Sequence, residues 1–331
     1  MNSDFFLGID VGGTDIKLGL VDDRGNVHFK HQTPTRPLGC PDAVFEYAIR
    51  YANETLLNHE LPADMLRGVG VAVPGVLDTR AGVLREVVNL PGWLGVSLIK
   101  HLAAITKLPT QLINDANAAA YAEHVIRSLG DGSLALLTLG TGIGGGLVLS
   151  GRPHGGDHGC AGELGHITID FSDTAIPCTC GSRGHLESYA GAPAVLSNLQ
   201  RRLRALPVES ISPELLSPDV TTRDIATHAE KGCQVCVDVM METACHVGKA
   251  IGMLGQVCNP EVVILGGAMT FGGEATATGR MFLDAVRESV KRTTLVQVGG
   301  NMDIQFASLG NDAGVCGAGM IARHRSSRSA R

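Results

Sequence analysis

The side chains with the clearest chemical potential are concentrated in residues 160–188, CAGELGHITIDFSDTAIPCTCGSRGHLES. A Cys-x-Cys pair, Cys178 and Cys180, is followed by His185 and preceded by His166. Two thiolates and two imidazoles are a donor set that can close a tetrahedral structural zinc site. The spacing therefore predicts Zn²⁺ bound by these four side chains. The alternative is a reduced loop without metal, because Cys-x-Cys alone is a weak signal.

Two carboxylates, Glu163 and Glu187, lie in the same segment and are not required as zinc ligands. An ionised carboxylate offers two acceptor oxygens, which suits a ligand rich in hydroxyl groups. We interpret the pair as part of a binding site for a polyhydroxylated molecule beside the metal. The alternative is two solvated surface glutamates.

Composition limits the class of protein. The chain has 331 residues, 44% of them hydrophobic, and a formal net charge of −6 with scattered basic residues. These values predict a globular protein of two lobes without a nucleic-acid partner, and residues 323–331, the one basic cluster, are expected to form a solvated end. The sequence lacks a signal peptide and any run of about eighteen apolar residues, so we expect a cytoplasmic protein without a membrane partner. Nine cysteines, an odd number, favour reduced thiols or metal ligands over disulfides.

Cys233 and Cys236 lie one helical turn apart within residues 222–257, where apolar residues recur at helical spacing. Free cysteine is commonly buried, so we interpret both as core residues and not as a redox motif. Residues 192–206 show the same helical pattern. The second half of the chain is therefore predicted to be largely helical.

Two glycine-rich turns are each flanked by strand-like runs. The first, VGGT, joins FFLGID to DIKLGLV, and the second, TGIGGG, joins LALLTLG to LVLS. A dinucleotide fingerprint requires a helix after the glycines, so neither turn satisfies it. The N–H groups of two such hairpins can instead clamp a polyphosphate, one hairpin from each lobe. For either turn alone, a simple tight hairpin is the alternative.

The segment QLINDANAAAYAEHV predicts a strand that ends near Asn114 and a helix that follows it. Asp115 would then lie at the N-terminus of a helix, where the dipole and free N–H groups keep a carboxylate ionised. On this segment alone, an ordinary N-cap aspartate is the simpler interpretation.

Taken together, these motifs resemble those of the ROK family (repressor, open reading frame, kinase), and its bacterial glucokinase branch in particular. The resemblance rests on GCAGELGHITID and CTCGSRGHLESYAG and extends over residues 5 to about 322. His185 stands where the family pattern has a third cysteine, and the gap between His166 and Cys178 is about two residues longer than usual. The count of four ligands is retained, because imidazole is an accepted zinc ligand.

The resemblance implies an α/β fold of the two-lobed actin/hexokinase-like ATPase class, with duplicated ribonuclease H-like lobes. We expect a small lobe from residues 1–118 and 313–331, and a large lobe from residues 119–312. The loop NLPGW, residues 89–93, resembles the family's sugar-side segment. A homo-oligomer, either a dimer or a tetramer, is also implied.

The resemblance further implies an ATP- and Mg²⁺-dependent kinase that phosphorylates a hexose at its 6-hydroxyl, with glucose the expected sugar. Asp115 would be the general base, and His166 would bind both zinc and a sugar hydroxyl. The residues expected at the sugar are Gly75, Asn114, Asp115, Glu163, His166 and Glu187. Those expected at ATP and Mg²⁺ are Asp10, Gly12, Gly13, Thr14, Thr141, Gly142, Gly266 and Gly267, with Asp10 holding the ion through water.

Several alternatives stay open at this point. The substrate could be N-acetylmannosamine, mannose, allose or fructose, and the donor could be polyphosphate. A catalytically silent sugar-binding protein would share the same motifs. A sugar-responsive regulator of this family would carry an N-terminal winged helix, but the first predicted strand begins at about residue 5 and leaves no room for one. We therefore expect an enzyme.

Overall fold

The computed structural model describes residues 4–87 and 90–329. Asn89 of the predicted sugar-side loop, and the last two residues of the basic cluster, lie outside the described residues. The strands are β1 (Phe5–Val11), β2 (Asp15–Asp22), β3 (Val27–Pro34), β4 (Leu66–Val73), β5 (Val76–Asp78), β6 (Val83–Glu86), β7 (Thr110–Asn114), β8 (Leu134–Leu139), β9 (Ile143–Leu149), β10 (Arg152–Pro153), β11 (Val262–Gly266) and β12 (Asp303–Phe306). The helices are α1 (Pro41–Asn58), α2 (Leu98–Ile105), α3 (Asp115–Ile126), α4 (Glu187–Ala190), α5 (Ala192–Leu203), α6 (Thr222–Glu230), α7 (Gln234–Cys258), α8 (Ala277–Thr293), α9 (Val296–Gly299) and α10 (Ala313–Ser329).

Two five-stranded sheets share a similar arrangement. The first has the order β3-β2-β1-β4-β7, in which β1 is antiparallel to β2 and parallel to β4. The second has the order β10-β9-β8-β11-β12, in which β11 is parallel to both β8 and β12. The two glycine-rich turns join β1 to β2 and β8 to β9. A strand follows each turn, so the prediction of two hairpins is confirmed.

The chain forms two compact units. The first comprises described residues within 1–132, 146–162 and 308–331, and the second comprises residues 133–145 and 163–307. The lobes expected from the family, with their boundary near residue 118, remain a proposal. None of the described helices is both long enough and apolar enough to cross a membrane.

The core of the first unit lies between the first sheet and helix α1. The apolar residues of α1 recur at helical spacing, as in Phe45, Ala48 and Ala52, and they are fully buried. They belong to one cluster with Ile9 of β1 and with Trp93, which is also fully buried. This cluster fixes the sheet whose strand ends carry several of the predicted site residues.

Helix α10 lies against β1, β4 and α3, and glycines allow their backbones to touch. A Cβ atom on Gly70 of β4 would lie 1.8 Å from the carbonyl oxygen of Ala318. One on Gly317 of α10 would lie 1.9 Å from the carbonyl oxygen of Ala118 in α3. These direct backbone contacts fix the position of α3, whose first residue is Asp115.

We expect Gly70→Ala to lower the free energy of unfolding by about 3 kcal/mol or more, because the added methyl group must force two backbones apart. Gly155→Ala is the matched control, since a Cβ atom there meets nothing within 4 Å. The control should change stability by less than about 0.5 kcal/mol. Urea denaturation followed by circular dichroism measures both. A Gly70→Ala midpoint equal to that of the wild type would contradict the contact.

In the second unit, the helical pattern predicted over residues 222–257 is divided into two helices, α6 and α7. The break occurs because Gly232 has a φ of +87°, in the left-handed region that ends a helix. Cys233 becomes the N-cap residue of α7, and Cys236 is fully buried. Burial and the neighbouring Cys233 raise the pKa of Cys236 to about 12, as expected for a core thiol.

Candidate active site

The junction predicted between strand and helix at Asn114 and Asp115 is confirmed, because β7 ends at Asn114 and α3 begins at Asp115. The N-cap residue is Asn114, whose Oδ1 accepts the N–H of Asn117 at 3.1 Å. The simpler interpretation of Asp115 as the N-cap is therefore wrong. Asp115 occupies the first position of the helix, where its Oδ1 accepts the N–H of Ala116 at 2.8 Å.

Asn114 also connects the helix to the predicted sugar-side glycine. Its Nδ2 donates to the carbonyl oxygen of Gly75 at 3.1 Å. Gly75 has a φ of +84°, and a Cβ atom there would lie 2.1 Å from the carbonyl oxygen of Glu86, so only glycine fits this turn. The structure thus brings Gly75, Asn114 and Asp115 into one bonded group.

The carboxylate of Asp10 lies near the end of β1, with its side chain 17% exposed. Burial raises the pKa of Asp10, and the charge of Lys17, whose Nζ is 3.9 Å from Oδ2, opposes that rise. The carboxylate also faces the start of α10, where a Cβ atom on Gly314 would lie 2.4 Å from Oδ2. An ionised Asp10 in this position favours a nearby cation, which suits a Mg²⁺ site.

Asp10→Asn is expected to raise the melting temperature of the ligand-free protein at pH 7 and to weaken Mg-ATP use. Because burial raises the pKa of Asp10 above its ordinary value of 3.8, the ionised carboxylate destabilises the fold above that raised pKa. This penalty disappears as the pH falls toward 3.8, so the difference in melting temperature should shrink there. Thermal melts from pH 7 to pH 4 test this, with the exposed Asp131→Asn as control. An Asp10→Asn variant that melts below the wild type at pH 7 would contradict it.

The first glycine hairpin is closed by its own backbone. The N–H of Gly12 donates to the carbonyl oxygen of Asp15 at 2.9 Å, and the Thr35 hydroxyl donates to the carbonyl oxygen of Gly12 at 2.7 Å. Gly12 therefore shapes the turn. A cavity of about 590 Å³ beside it is lined by Gly13, Thr14, Asp15, Pro34 and Arg36.

Arg36 was not predicted from the sequence. It follows β3 and stands far along the chain from the glycine hairpin, so no local spacing indicates it. In the structure it lines the same cavity as Gly13 and Thr14. A guanidinium group at this point could neutralise phosphate oxygens.

The second glycine hairpin is bonded to Glu187. Glu187 Oε2 accepts the N–H of Ile143, the first residue of β9, at 2.8 Å. A Cβ atom on Gly142 would lie 2.5 Å from that oxygen, and the carbonyl oxygen of Thr141 lies 3.1 Å from the position of a Cβ atom on Gly191. Glu187 is therefore not a solvated surface glutamate. Glu163 is exposed, so its alternative interpretation stays open.

The predicted zinc ligands converge. The ligand atoms of His166, Cys178, Cys180 and His185 all lie within 4.8 Å of one another. The two Nδ1 atoms are 3.2 Å apart, Cys180 Sγ is 3.3 Å from His185 Nδ1, and Cys178 Sγ is 3.8 Å from His166 Nδ1. Ligands held 2.0–2.3 Å from one tetrahedral ion are separated by about 3.3–3.8 Å. The donor set and its spacing therefore fit Zn²⁺.

The electrostatics of the cluster also suit a metal. Burial raises the pKa of Cys178, but hydrogen bonds from Cys180, His185 and Ser188 outweigh it and lower that pKa to about 6. Cys178 is then largely thiolate at neutral pH, the form that binds zinc. Both histidines direct Nδ1 into the cluster, which places Nε2 of His166 on the opposite side of its ring.

Tyr189, which sequence analysis missed, ties the metal loop to helix α4. Its hydroxyl donates to Asp170 Oδ2 at 2.6 Å and accepts the N–H of Ile176 at 2.8 Å. Asp170 and Ile176 flank the loop that leads to Cys178. No spacing rule marks a tyrosine for this role, because the contact depends on how the loop folds back on α4.

A cavity of about 580 Å³ lies beyond the end of β11. Gly267, with a φ of +89°, makes the turn out of the strand, and Ala268 and Met269 line the cavity directly after it. Glu230 accepts the N–H of Thr278 at 3.1 Å and so fixes the start of α8. The remaining lining residues are Thr222, Arg223, Ala226, Thr227, Glu230, Lys231, Thr270, Phe271, Gly272, Thr276 and Thr278, most of which sequence analysis did not single out.

Comparison with known proteins identifies related chains that match this chain along nearly its whole length. The chain is 31% identical to a glucokinase of Halalkalibacterium halodurans over 333 residues, which cover 98% of this chain and 97% of the relative. It is 30% identical to a xylose repressor of Caldicellulosiruptor bescii, covering 94% of this chain and 76% of the repressor. It is 28% identical to an N-acetylmannosamine kinase of Citrobacter koseri, covering 96% of this chain and 98% of that kinase.

Two solved structures are similar along the whole chain. A ROK hexokinase from Thermus thermophilus superposes with a TM-score of 0.79 at 30% identity, covering 98% of this chain and 99% of the other. A ROK family glucokinase from Streptomyces griseus, solved with glucose and AMPPNP, gives a TM-score of 0.71 at 28% identity. The match covers 97% of this chain and 99% of the glucokinase. The predicted two-lobed actin/hexokinase-like fold is confirmed by these structures.

The predicted enzyme class, a sugar kinase, is also confirmed by these relatives. The sequence pattern of the ROK family matches residues 6–325, nearly the entire chain. The chain therefore belongs to the ROK family.

Proposed function

We propose that this protein transfers the γ-phosphoryl group of ATP to the 6-hydroxyl of glucose. The observation that carries the proposal is the junction at Asp115, where a carboxylate stands at the first position of a helix and the preceding residue, Asn114, is bonded to Gly75. The glucokinase relatives and the similarity to a glucokinase solved with glucose and AMPPNP support the choice of sugar and donor.

In the proposed reaction, Asp115 accepts the proton of the sugar 6-hydroxyl. The hydroxyl oxygen bonds to the γ-phosphorus, the bond from that phosphorus to the bridging oxygen breaks, and ADP leaves. The transition state of phosphoryl transfer is loose, so the protein contributes mainly by positioning and by neutralising charge. Mg²⁺, when bound near Asp10, would neutralise phosphate oxygens. The sugar hydroxyls would be held by Asn114, Glu163, His166 and Glu187.

We assign the phosphates of ATP to the two glycine hairpins and the adenosine to the cavity beyond β11. Support comes from the cavity beside Gly13 and Thr14, from the fixed position of Gly142 beside Glu187, and from the family resemblance at Gly266 and Gly267. Arg36 adds a positive charge at the first hairpin.

We assign zinc to the cluster of His166, Cys178, Cys180 and His185, with a structural role. A metal there would hold the His166 ring by Nδ1 and leave Nε2 for a sugar hydroxyl, which fixes both tautomer and ring orientation. The cluster supplies no step of the reaction. The expected homo-oligomer remains a separate proposal, which analytical ultracentrifugation would test.

Coupled ADP release with Mg-ATP, measured over a panel of glucose, mannose, allose, fructose and N-acetylmannosamine, tests the proposal. The highest kcat/KM should be for glucose, and 6-deoxyglucose should bind without being phosphorylated, because it lacks the accepting hydroxyl. If kcat/KM were highest for N-acetylmannosamine, that sugar would replace glucose as the proposed substrate. Polyphosphate in place of ATP should give little turnover. If every sugar failed while calorimetry still showed binding, a silent sugar-binding protein would take the place of the kinase.

A further inference from the structure

Glu187 is placed between two functional segments of the second unit. It is the first residue of α4 and follows the zinc ligand His185 by two positions. Its Oε2 accepts the N–H of Ile143 at 2.8 Å, and Ile143 directly follows Thr141 and Gly142. The sugar side and the phosphate side of the predicted site therefore meet at one carboxylate.

Two backbone contacts and one side-chain contact hold the second hairpin against the same region. The N–H of Ala192, just beyond α4, donates to the carbonyl oxygen of Gly140 at 2.9 Å. A Cβ atom on Gly165, between Glu163 and His166, would lie 2.0 Å from the carbonyl oxygen of Ile143. A Cβ atom on Gly142 would lie 2.5 Å from Glu187 Oε2. The Glu187 carboxylate therefore lies directly against Gly142, with no room for a side chain between them.

We propose that Glu187 positions the second phosphate hairpin and thereby couples sugar binding to ATP binding. Oε2 holds the N–H of Ile143, and Oε1 is the atom that remains for a sugar hydroxyl. This inference rests on the proposed function, which places a sugar and ATP at these two segments. A sugar that fixes the carboxylate also fixes Gly142 and Ile143, so the hairpin is already ordered when the phosphates of ATP arrive.

The coupling must be reciprocal, because it is a difference in binding free energy. Sugar must tighten the binding of a nucleotide by the same factor as the nucleotide tightens the binding of sugar. Glu163 provides the matched control. It is also a predicted sugar carboxylate, but it is exposed and belongs to the turn before His166. Its removal should weaken sugar binding without changing the hairpin.

The test is calorimetric titration of AMPPNP into the wild type, Glu187→Ala, Glu187→Gln and Glu163→Ala, each with and without glucose. A hydrogen bond to a charged group is worth enough that Glu187→Ala should weaken AMPPNP binding about 10-fold without sugar and abolish the tightening by glucose. Glu187→Gln should retain part of the affinity, because its amide oxygen can still accept the N–H of Ile143. Glu163→Ala without sugar should bind AMPPNP like the wild type.

Hydrogen exchange checks the contact without any ligand. The amides of residues 141–145 should exchange faster in Glu187→Ala and Glu187→Gln than in Glu163→Ala, while α7 stays equally protected. If Glu187→Ala does not fold, Glu187→Gln alone carries both measurements. AMPPNP affinity without sugar that is unchanged in the Glu187 variants would overturn the proposal. So would equal loss of coupling in Glu163→Ala and Glu187→Ala when glucose saturates both variants. If the wild type failed to phosphorylate glucose while the Glu187 variants still showed these exchange differences, only the proposed function would be overturned.

Discussion

An Asp115→Asn variant is expected to phosphorylate glucose about 10³-fold more slowly than the wild type, while its dissociation constant for glucose changes by less than about threefold. Asparagine keeps an oxygen that can accept the N–H of Ala116, so the first turn of α3 should be preserved. It lacks the carboxylate that would accept the proton of the attacking hydroxyl. The loss should therefore appear in the chemical step, with sugar binding retained.

Rapid-quench single turnover with Mg-ATP measures the chemical step, and calorimetry measures glucose binding. Asp131→Asn is the control, because it removes the same charge from an exposed position of the same unit. A single-turnover rate for Asp115→Asn within tenfold of the wild type would remove Asp115 from the role of base.

Removal of one predicted zinc ligand is expected to have the second largest effect. His185→Ala should reduce bound zinc from about one ion per chain to almost none, because three ligands hold the ion much more weakly than four. Glucose affinity should fall by about 10- to 100-fold, as the orientation of His166 is lost. His185→Cys should keep its zinc, since it restores the thiolate of the family pattern at the same position.

Metal content is measured by mass spectrometry after dialysis, and the released ion by a colorimetric zinc indicator. Cys160→Ser is the control, because Cys160 is an exposed cysteine outside the cluster. Full zinc occupancy in His185→Ala would show that His185 is not a ligand. Absence of zinc from the wild type expressed in zinc-supplemented medium would support the metal-free loop.

Local patterns were sufficient for the parts of the site that are local in the chain. The four predicted metal ligands lie within one segment, so their types and spacing predicted a cluster, and the structure brings their ligand atoms together. The two hairpins could be predicted equally well from the sequence, because a glycine turn between two apolar runs has few other conformations. The junction between strand and helix at Asn114 was predicted because its sequence signals are also local in the chain.

Contacts that depend on the sheet topology were not predictable in this way. Glu187 and Ile143 are 44 residues apart in sequence, and no periodicity connects them. Asn114, and not Asp115, is the N-cap residue, and its side chain is also bonded to Gly75, which is distant in the sequence. Gly232 interrupts an apolar pattern that continues on both sides of it, so the pattern alone concealed the break between α6 and α7.

The backbone contact between α10 and the first sheet also sets the order in which parts of the chain can fold during translation. The first unit uses residues on both sides of the second unit, and α10 leaves the ribosome only after residues 163–307 have been made. Domains generally fold as units during translation, so the metal loop can be complete in a nascent chain that still lacks α10. Helix α3 can reach its final packing only at the end of translation, because Gly317 must first meet Ala118. The residue proposed as the base would therefore be set in place last, after the segment that carries the predicted metal ligands.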